Sequence, residues 1–225
     1  MTDVLLALLG GYAAAGVLMA GLQLVYTVPA LHGLLVAPDP RRATKGWRLA
    51  RDAVVNSTLS VSLFTVTCVG LREVLFHTGE VGWARLGAEV VGVLLIYDFL
   101  YYGMHRFLFH GWKPLIVVHA VHHTARNPRS IDSLVLHPVE TVMGILLFLG
   151  TIAMVGGIHL QSFAVAFVIY TSLNVVNHAG VVLPGPLFRP LASLTRKHDR
   201  HHHTMRSGNY STLTPLPDLL FGTVA

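Results

Sequence analysis

The sequence predicts an all-α protein, a polytopic transmembrane helical bundle with a histidine-rich cap on its cytoplasmic side. Three observations predict it: apolar runs long enough to cross a bilayer, only 12% charged residues, and 14 histidines against 11 acidic side chains. An ordinary soluble domain carries about 25% charged residues. With half that fraction, 53% hydrophobic residues and a mean hydropathy of +0.59, the 225 residues lack the polar surface to cover a water-soluble globule. The apolar content also excludes disorder, and the lone Cys68 excludes a disulfide framework and a cysteine-based zinc module. One domain over 1–225 is expected, with two accessory transmembrane helices in 1–86 and no polar linker, internal repeat or low-complexity tract.

A hydrocarbon core about 30 Å thick needs roughly 20 apolar residues per helix. Val4 to Val28 is the first such run. It is too long for a cleaved signal peptide, lacks a basic leader, and ends at Pro29, which cannot continue a helix without losing a hydrogen bond. Ala53 to Leu71 is uncharged and makes the second span. Gly87 to Met104, apolar except for Glu89 and Asp98, makes the third. Between Glu140 and Arg189 there is no Asp, Glu, Lys or Arg, and Gly156-Gly157 offers a turn. That segment reads as a hairpin over 141–177 whose short arms either span fully or dip in as a re-entrant pair.

Orientation follows from Lys and Arg. If the first loop is cytoplasmic, that side receives Arg41, Arg42, Lys45, Arg48 and Arg51, then Arg106, Lys113, Arg126 and Arg129, then Arg189, Arg196, Lys197, Arg200 and Arg206. Only Arg72 and Arg85 fall on the other side, so the net charge of +5 is a topology signal and implies no nucleic-acid partner. The N-terminus is then expected outside. The compact chain and its Ala, Val, Leu, Gly and Arg bias point to a bacterial inner membrane, with the endoplasmic reticulum as the alternative.

The same topology gathers histidines on the cytoplasmic side. His105 and His110 close the third span, His119, His122 and His123 follow it, His178 ends the hairpin, and His198, His201, His202 and His203 lie in the basic tail. Positions i, i+3 and i+4 share a helical face. His119-Ala-Val-His122-His123 and His198-Asp-Arg-His201-His202 therefore each present three imidazoles together. His105 and His110, five apart, share no α-helical face, which suits a helix that ends or bulges between them. Imidazole suits iron, zinc, copper and nickel, and neutral rings crowd a metal without mutual repulsion. Nine or ten such ligands exceed the need of one ion, so the cap reads as a site for two. Isolated His32, His77 and His159 read as loop or interfacial residues, and His137, in His-Pro-Val-Glu, as structural.

Other classes fit less well. A b-type cytochrome wants opposed single histidines within the spans. A metal transporter wants ionisable residues along a path across the bilayer, where this chain offers little beyond Asp98 and Glu89. An intramembrane zinc protease wants His-Glu-x-x-His, which is absent.

In order and spacing these boxes resemble the fatty acid hydroxylase and sterol desaturase superfamily of integral-membrane di-iron enzymes. The resemblance runs from Asp98-Phe-Leu-Tyr-Tyr-Gly-Met-His105 and His110 through His119-Ala-Val-His122-His123 and His137-Pro-Val-Glu140. It continues with His178, His198-Asp-Arg-His201-His202, Asn209-Tyr210 and Asp218-Leu-Leu-Phe-Gly-Thr, covering roughly 98–223. It implies two iron ions, with zinc possible in purified material, held by His105, His110, His119, His122, His123, His178, His198, His201 and His202. It implies dioxygen as co-substrate and an external electron donor of ferredoxin or cytochrome b5 type with its reductase. The reaction implied is hydroxylation, or desaturation, of a C–H bond in a lipid-like substrate from the bilayer. No His-Pro-Gly-Gly segment marks a fused cytochrome b5 domain. Asn174 stands where members often carry a further histidine, Gly103 where an aromatic often precedes the first box, and Ser211 where glycine often follows Asn-Tyr. Asn174 is thus an expected ligand position, filled by its amide or through a water. Metal-bound histidines usually donate their other ring N–H to an acceptor. Asp98, seven residues before His105, is expected to serve it, with Glu140, Asp132 and Asp199 as further acceptors and Asn209 and Tyr210 ordering the loop over the site.

Overall fold

Apolar composition and the chain's few helix-breaking residues set the frame. In a computed structural model, which describes residues 1–37 and 45–225, the long helices are α1 (Thr2–Leu24), α2 (Gly46–Gly70), α4 (Trp83–Gly103), α6 (Pro138–Met154) and α7 (Leu160–Asn177). Arg41 and Arg42, counted above for orientation, lie outside the described residues. At 1.5 Å per residue, α1 and α2 are about 35–37 Å long, and α6 and α7 about 26–27 Å. Among the described residues four helices are long and apolar enough to cross a membrane: α1, α2, α4 with its continuation to Phe109, and α7; α6 is a shorter apolar helix.

The boundaries shift from those expected. The first helix stops at Leu24, and Pro29 opens a separate 3-10 turn, Pro29–Leu34. The second begins at Gly46, so Arg48, Arg51 and Asp52 form a polar first turn below the apolar run. Short α3 (Arg72–Leu75) leads into β1 (Phe76–His77), which pairs in parallel with β2 (Ile158–His159). That pairing ties the α2–α4 connection to the turn of the α6–α7 hairpin. Gly156 and Gly157 make the turn with φ of +85° and +86°, a backbone region closed to most side chains.

Both arms of the hairpin therefore run between this end and the histidine end, where Glu140 lies in the first turn of α6 and His178 follows α7. Between the helices lies a core of Phe64, Tyr97, Phe148, Ile152, Phe163 and Phe167. Edge-to-face rings hold it, among them Tyr97 against Phe148 and Tyr170. At the far end of the bundle α5 (Lys113–His119), α8 (Arg189–His203) and α9 (Leu216–Leu220) form the cap.

Candidate metal centre

Nine histidines converge as two separate clusters, five in one and four in the other: His105, His110, His119, His123 and His201, and His122, His178, His198 and His202. Local backbone explains how each arrives. Beyond Gly103 helix α4 widens into a π-helix, Met104–Phe109, and the amide of His110 donates to the carbonyl of His105 at 3.0 Å. The wider turn brings residues five apart to one side, as their spacing required. Pro114 starts α5, which ends at His119, and a 3-10 turn carries His122 and His123. Helix α8 supplies His198, His201 and His202 from its buried face.

The His-x2-His-His units are shared between clusters rather than each presenting three rings to one place. In the first unit His119 and His123 join the five-histidine cluster and His122 the other; in the second, His198 and His202 join the four-histidine cluster and His201 the other. The i, i+4 pair serves one cluster with Nε2 atoms 3.1 Å apart for His119 and His123, and 3.0 Å for His198 and His202.

In the larger cluster four Nε2 atoms close a ring: His105 to His119 3.0 Å, His119 to His123 3.1 Å, His123 to His201 3.2 Å and His201 to His105 3.1 Å, with His110 at 3.2 Å from His105. In the smaller one His122, His178, His198 and His202 follow in sequence at 3.0, 2.8 and 3.0 Å.

These contacts are not ordinary hydrogen bonds. On six rings Nδ1 faces a backbone carbonyl, which can only accept, and on a seventh it faces a carboxyl group. His105 donates to the carbonyl of Tyr210 at 2.7 Å, His110 to Met205 at 2.8 Å, His122 to Val135 at 3.3 Å and His178 to Asn174 at 2.7 Å. His201 donates to Gly208 at 2.8 Å, His202 to Ala125 at 2.9 Å, and His119 to the Glu140 carboxylate at 2.9 Å. With the proton on Nδ1, Nε2 is a bare lone pair, and lone pairs 3 Å apart repel unless a cation lies among them. Ligands at about 2.1 Å and at right angles stand about 3.0 Å apart, so the donor sets fit a transition-metal ion in each cluster. A haem macrocycle finds no room between nitrogens this close.

Burial keeps the rings neutral and ready to ligate. It pushes His119 and His122 down to about 3 and His110 and His178 to about 4. Burial, reinforced by neighbouring rings, holds His123, His198, His201 and His202 well below the usual imidazole range.

The acceptors differ in part from those expected. Glu140 serves His119. Asp98 does not serve His105: fully buried, it accepts from the backbone amides of Thr212, Leu213 and Thr214 and from the Thr214 hydroxyl, at 2.7–2.9 Å. Helical spacing placed it below His105, but these four donors satisfy its oxygens first. It acts on His105 only by anchoring the strand that follows Tyr210.

Asp199 likewise binds Asn127 at 3.2 Å and His203 at 3.3 Å instead of a clustered ring. Asp132 caps its own turn through the Arg129 amide, and His137 caps α6 through the Val139 amide. Asn209, at φ +63°, ties the chain end to α8 through Lys197 and Ala225. Tyr210 presents its carbonyl to His105 while its amide donates to Asp218.

Sequence reasoning missed Lys197 and Asp218, a buried ion pair at 3.0 Å that also binds Ser211. Their places, next to the second box and at the start of the closing segment, were the available signal. His159 pairs with Glu89 at the opposite end of the bundle.

A cavity of about 290 Å³ lies between α1, α2, α4, α6 and α7, mostly apolar, reaching His122, His178 and His198. Asn174 lines it beside His178, while the five-histidine cluster does not border it.

Residues 90–223 match the family model for fatty acid hydroxylase. The chain is 34% identical over 149 residues to methylsterol monooxygenase 2-2 of Arabidopsis thaliana, covering 63% of this chain and 54% of that protein. It is 34% identical over 178 residues to a very-long-chain aldehyde decarbonylase of Oryza sativa, covering 75% and 63% respectively. Methylsterol monooxygenase 1 of Rattus norvegicus is 31% identical over 144 residues, covering 63% and 48%. The chain thus spans about half to less than two thirds of the curated relatives it matches. No solved structure matches it. The family model covers more than half of the chain and takes in every clustered histidine, so the chain belongs to the fatty acid hydroxylase family.

Proposed function

We propose that this protein is an integral-membrane oxygenase that uses dioxygen and external electrons to hydroxylate, or desaturate, a C–H bond of a lipid-like substrate. The observation that carries the reading is the convergence of bare Nε2 lone pairs into two sets, each fit for an iron ion. The five-histidine set would hold one iron. His122, His178, His198 and His202 would hold the other, and Asn174 would fill a remaining position directly or through a water. Iron bound there would supply activation of dioxygen and removal of hydrogen from an unactivated C–H bond.

The chain's own residues do the rest. Carbonyls of Tyr210, Met205, Val135, Asn174, Gly208 and Ala125, with Glu140, fix the tautomers of seven of the nine rings and aim their lone pairs. The cavity would hold the substrate's apolar body against His122, His178 and His198 of the four-histidine set. Tyr97, Phe64, Tyr170 and Ile145 along its wall exclude water from that path. Hydroxylation consumes RH, O2, two electrons and two protons and yields ROH and water; hydroxylation and desaturation differ only in which hydrogens the cavity brings near. The substrate enters laterally from the bilayer, the histidine end faces the cytoplasm of a bacterial inner membrane, and a soluble ferredoxin or cytochrome b5 type carrier delivers electrons.

Metal analysis of anaerobically purified protein tests this, paired with lipid profiling of cells with and without it. Two irons per chain and a lipid that gains oxygen or a double bond are expected. Folded, active protein without metal would overturn the reading, as would iron-loaded protein that oxidises only small water-soluble compounds.

A further inference from the structure

Charge is divided unevenly between the two ends of the bundle. Among the described residues, the exposed acidic side chains are Asp3, Glu73 and Glu80, all at the end away from the histidines. The described acids at the histidine end are buried or half-buried, and Asp52 is already paired with Arg51. Exposed arginines concentrate on α8. Its inner face, Leu194, Thr195, Lys197, His198, His201 and His202, is buried, while Arg189, Arg196, Arg200 and His203 follow one another at helical spacing on the outer face. Arg206 and Arg126, both exposed, extend the stripe over the loops beside it.

Topology accounts for only part of this stripe. Positive residues orient a membrane protein within about 15–20 residues of a span, which takes in Arg126, Arg189 and Arg196, whereas Arg200 and Arg206 lie 23 and 29 residues beyond Asn177. The stripe also lies on the side of α8 turned from the histidine clusters. α8 lays its inner face on imidazoles at the ends of α4 and α7, so its outer face points away from the spans. A helix is about 10–12 Å across with its side chains, so a partner seated on the arginines is one helix width from His198, His201 and His202.

We propose that the Arg196, Arg200, His203 and Arg206 stripe, with Arg126, is the docking surface for an acidic one-electron carrier protein. The inference rests on the oxygenase reading, which requires two electrons per turnover. The carrier docks twice, each time giving one electron through α8 and leaving oxidised, while two protons from water complete the balance. Complementary charge steers such encounters and makes them salt-sensitive.

The test uses the full chain, iron-loaded, in neutral-lipid nanodiscs. The probes are the soluble haem domain of a cytochrome b5 and an acidic [2Fe–2S] ferredoxin. Binding and anaerobic electron transfer from each reduced probe are followed against ionic strength, with dithionite as a reductant that needs no docking. R196E/R206E should lower affinity and carrier-driven transfer on the order of tenfold at low salt and flatten the salt dependence. Iron content and reduction by dithionite should match the parent, and R196Q/R206Q should fall between the two.

Full iron and normal dithionite reduction with unaltered carrier binding would overturn the docking surface alone. Loss of stability confined to nanodiscs containing anionic lipid, with carrier binding intact, would place the stripe on headgroups and also overturn it. Protein without iron, or unchanged by dithionite, would overturn the oxygenase reading and this proposal with it.

Discussion

Glu140 offers the sharpest test of how the centre is built. Of the seven ring N–H groups with an acceptor, six donate to backbone carbonyls that no substitution can remove, and only His119 donates to a side chain, at 2.9 Å. Glu140 is 6% exposed, so water does not screen the contact. Glu140→Gln keeps an oxygen in place but removes the charge that makes the ring more basic; Glu140→Ala removes both. Losing the partner of a ligating histidine typically costs 10–100-fold in metal affinity, or about 1.4–2.7 kcal/mol. The alanine variant is expected near the upper end and the glutamine variant near the lower. Only the five-histidine ion should weaken, since His119 belongs to that set. Chelator titration of iron-loaded protein should show two phases, and His198→Ala, which disables the four-histidine set, identifies which phase is which. If Glu140→Ala releases both ions with parental affinity, or weakens the four-histidine ion instead, the assignment of Glu140 to one set is wrong.

Three further outcomes are expected. His201→Ala and His198→Ala should each lose one iron per chain and keep most of the other, measured as metal-to-protein ratio; loss of both from either variant would mean the two sets are not separate. Asp98→Asn places an amide nitrogen against donors from residues 212–214, and should destabilise by about 2–4 kcal/mol in thermal unfolding, with no direct effect on the His105 ring. The Gly144 backbone lines the cavity and a Cβ there would meet nothing within 4 Å, so Gly144→Leu should fold and bind iron normally while lipid oxidation falls about tenfold or more.

Much of this arrangement was legible because it rests on periodicity. The five-residue gap between His105 and His110 marked a departure from α-helical winding, and a π-helix is found there. The Gly156-Gly157 pair marked a turn that only glycine accommodates readily. What stayed hidden has no side-chain code. The carbonyls of Tyr210, Met205 and Gly208 are available to imidazoles only because the chain folds back after α8. Asp98 was misassigned for a related reason: helical spacing gives neighbours along one helix, but its donors come from 114 to 116 residues away. The cross-sharing of the His-x2-His-His units was equally out of reach, because a shared face does not say how many ions the face meets.

That cross-sharing makes each short unit a spacer as well as a ligand set. One box has its i and i+4 rings in the larger cluster and its i+3 ring in the smaller; the other has the reverse. The separation of two ions held there would therefore be gauged twice, by the rise of a single helical turn in two segments outside the spans. Membrane thickness and helix tilt can change how the bundle sits in lipid, yet neither acts on that gauge. The same protein could bend with its bilayer while two ions held in these clusters would keep a fixed distance.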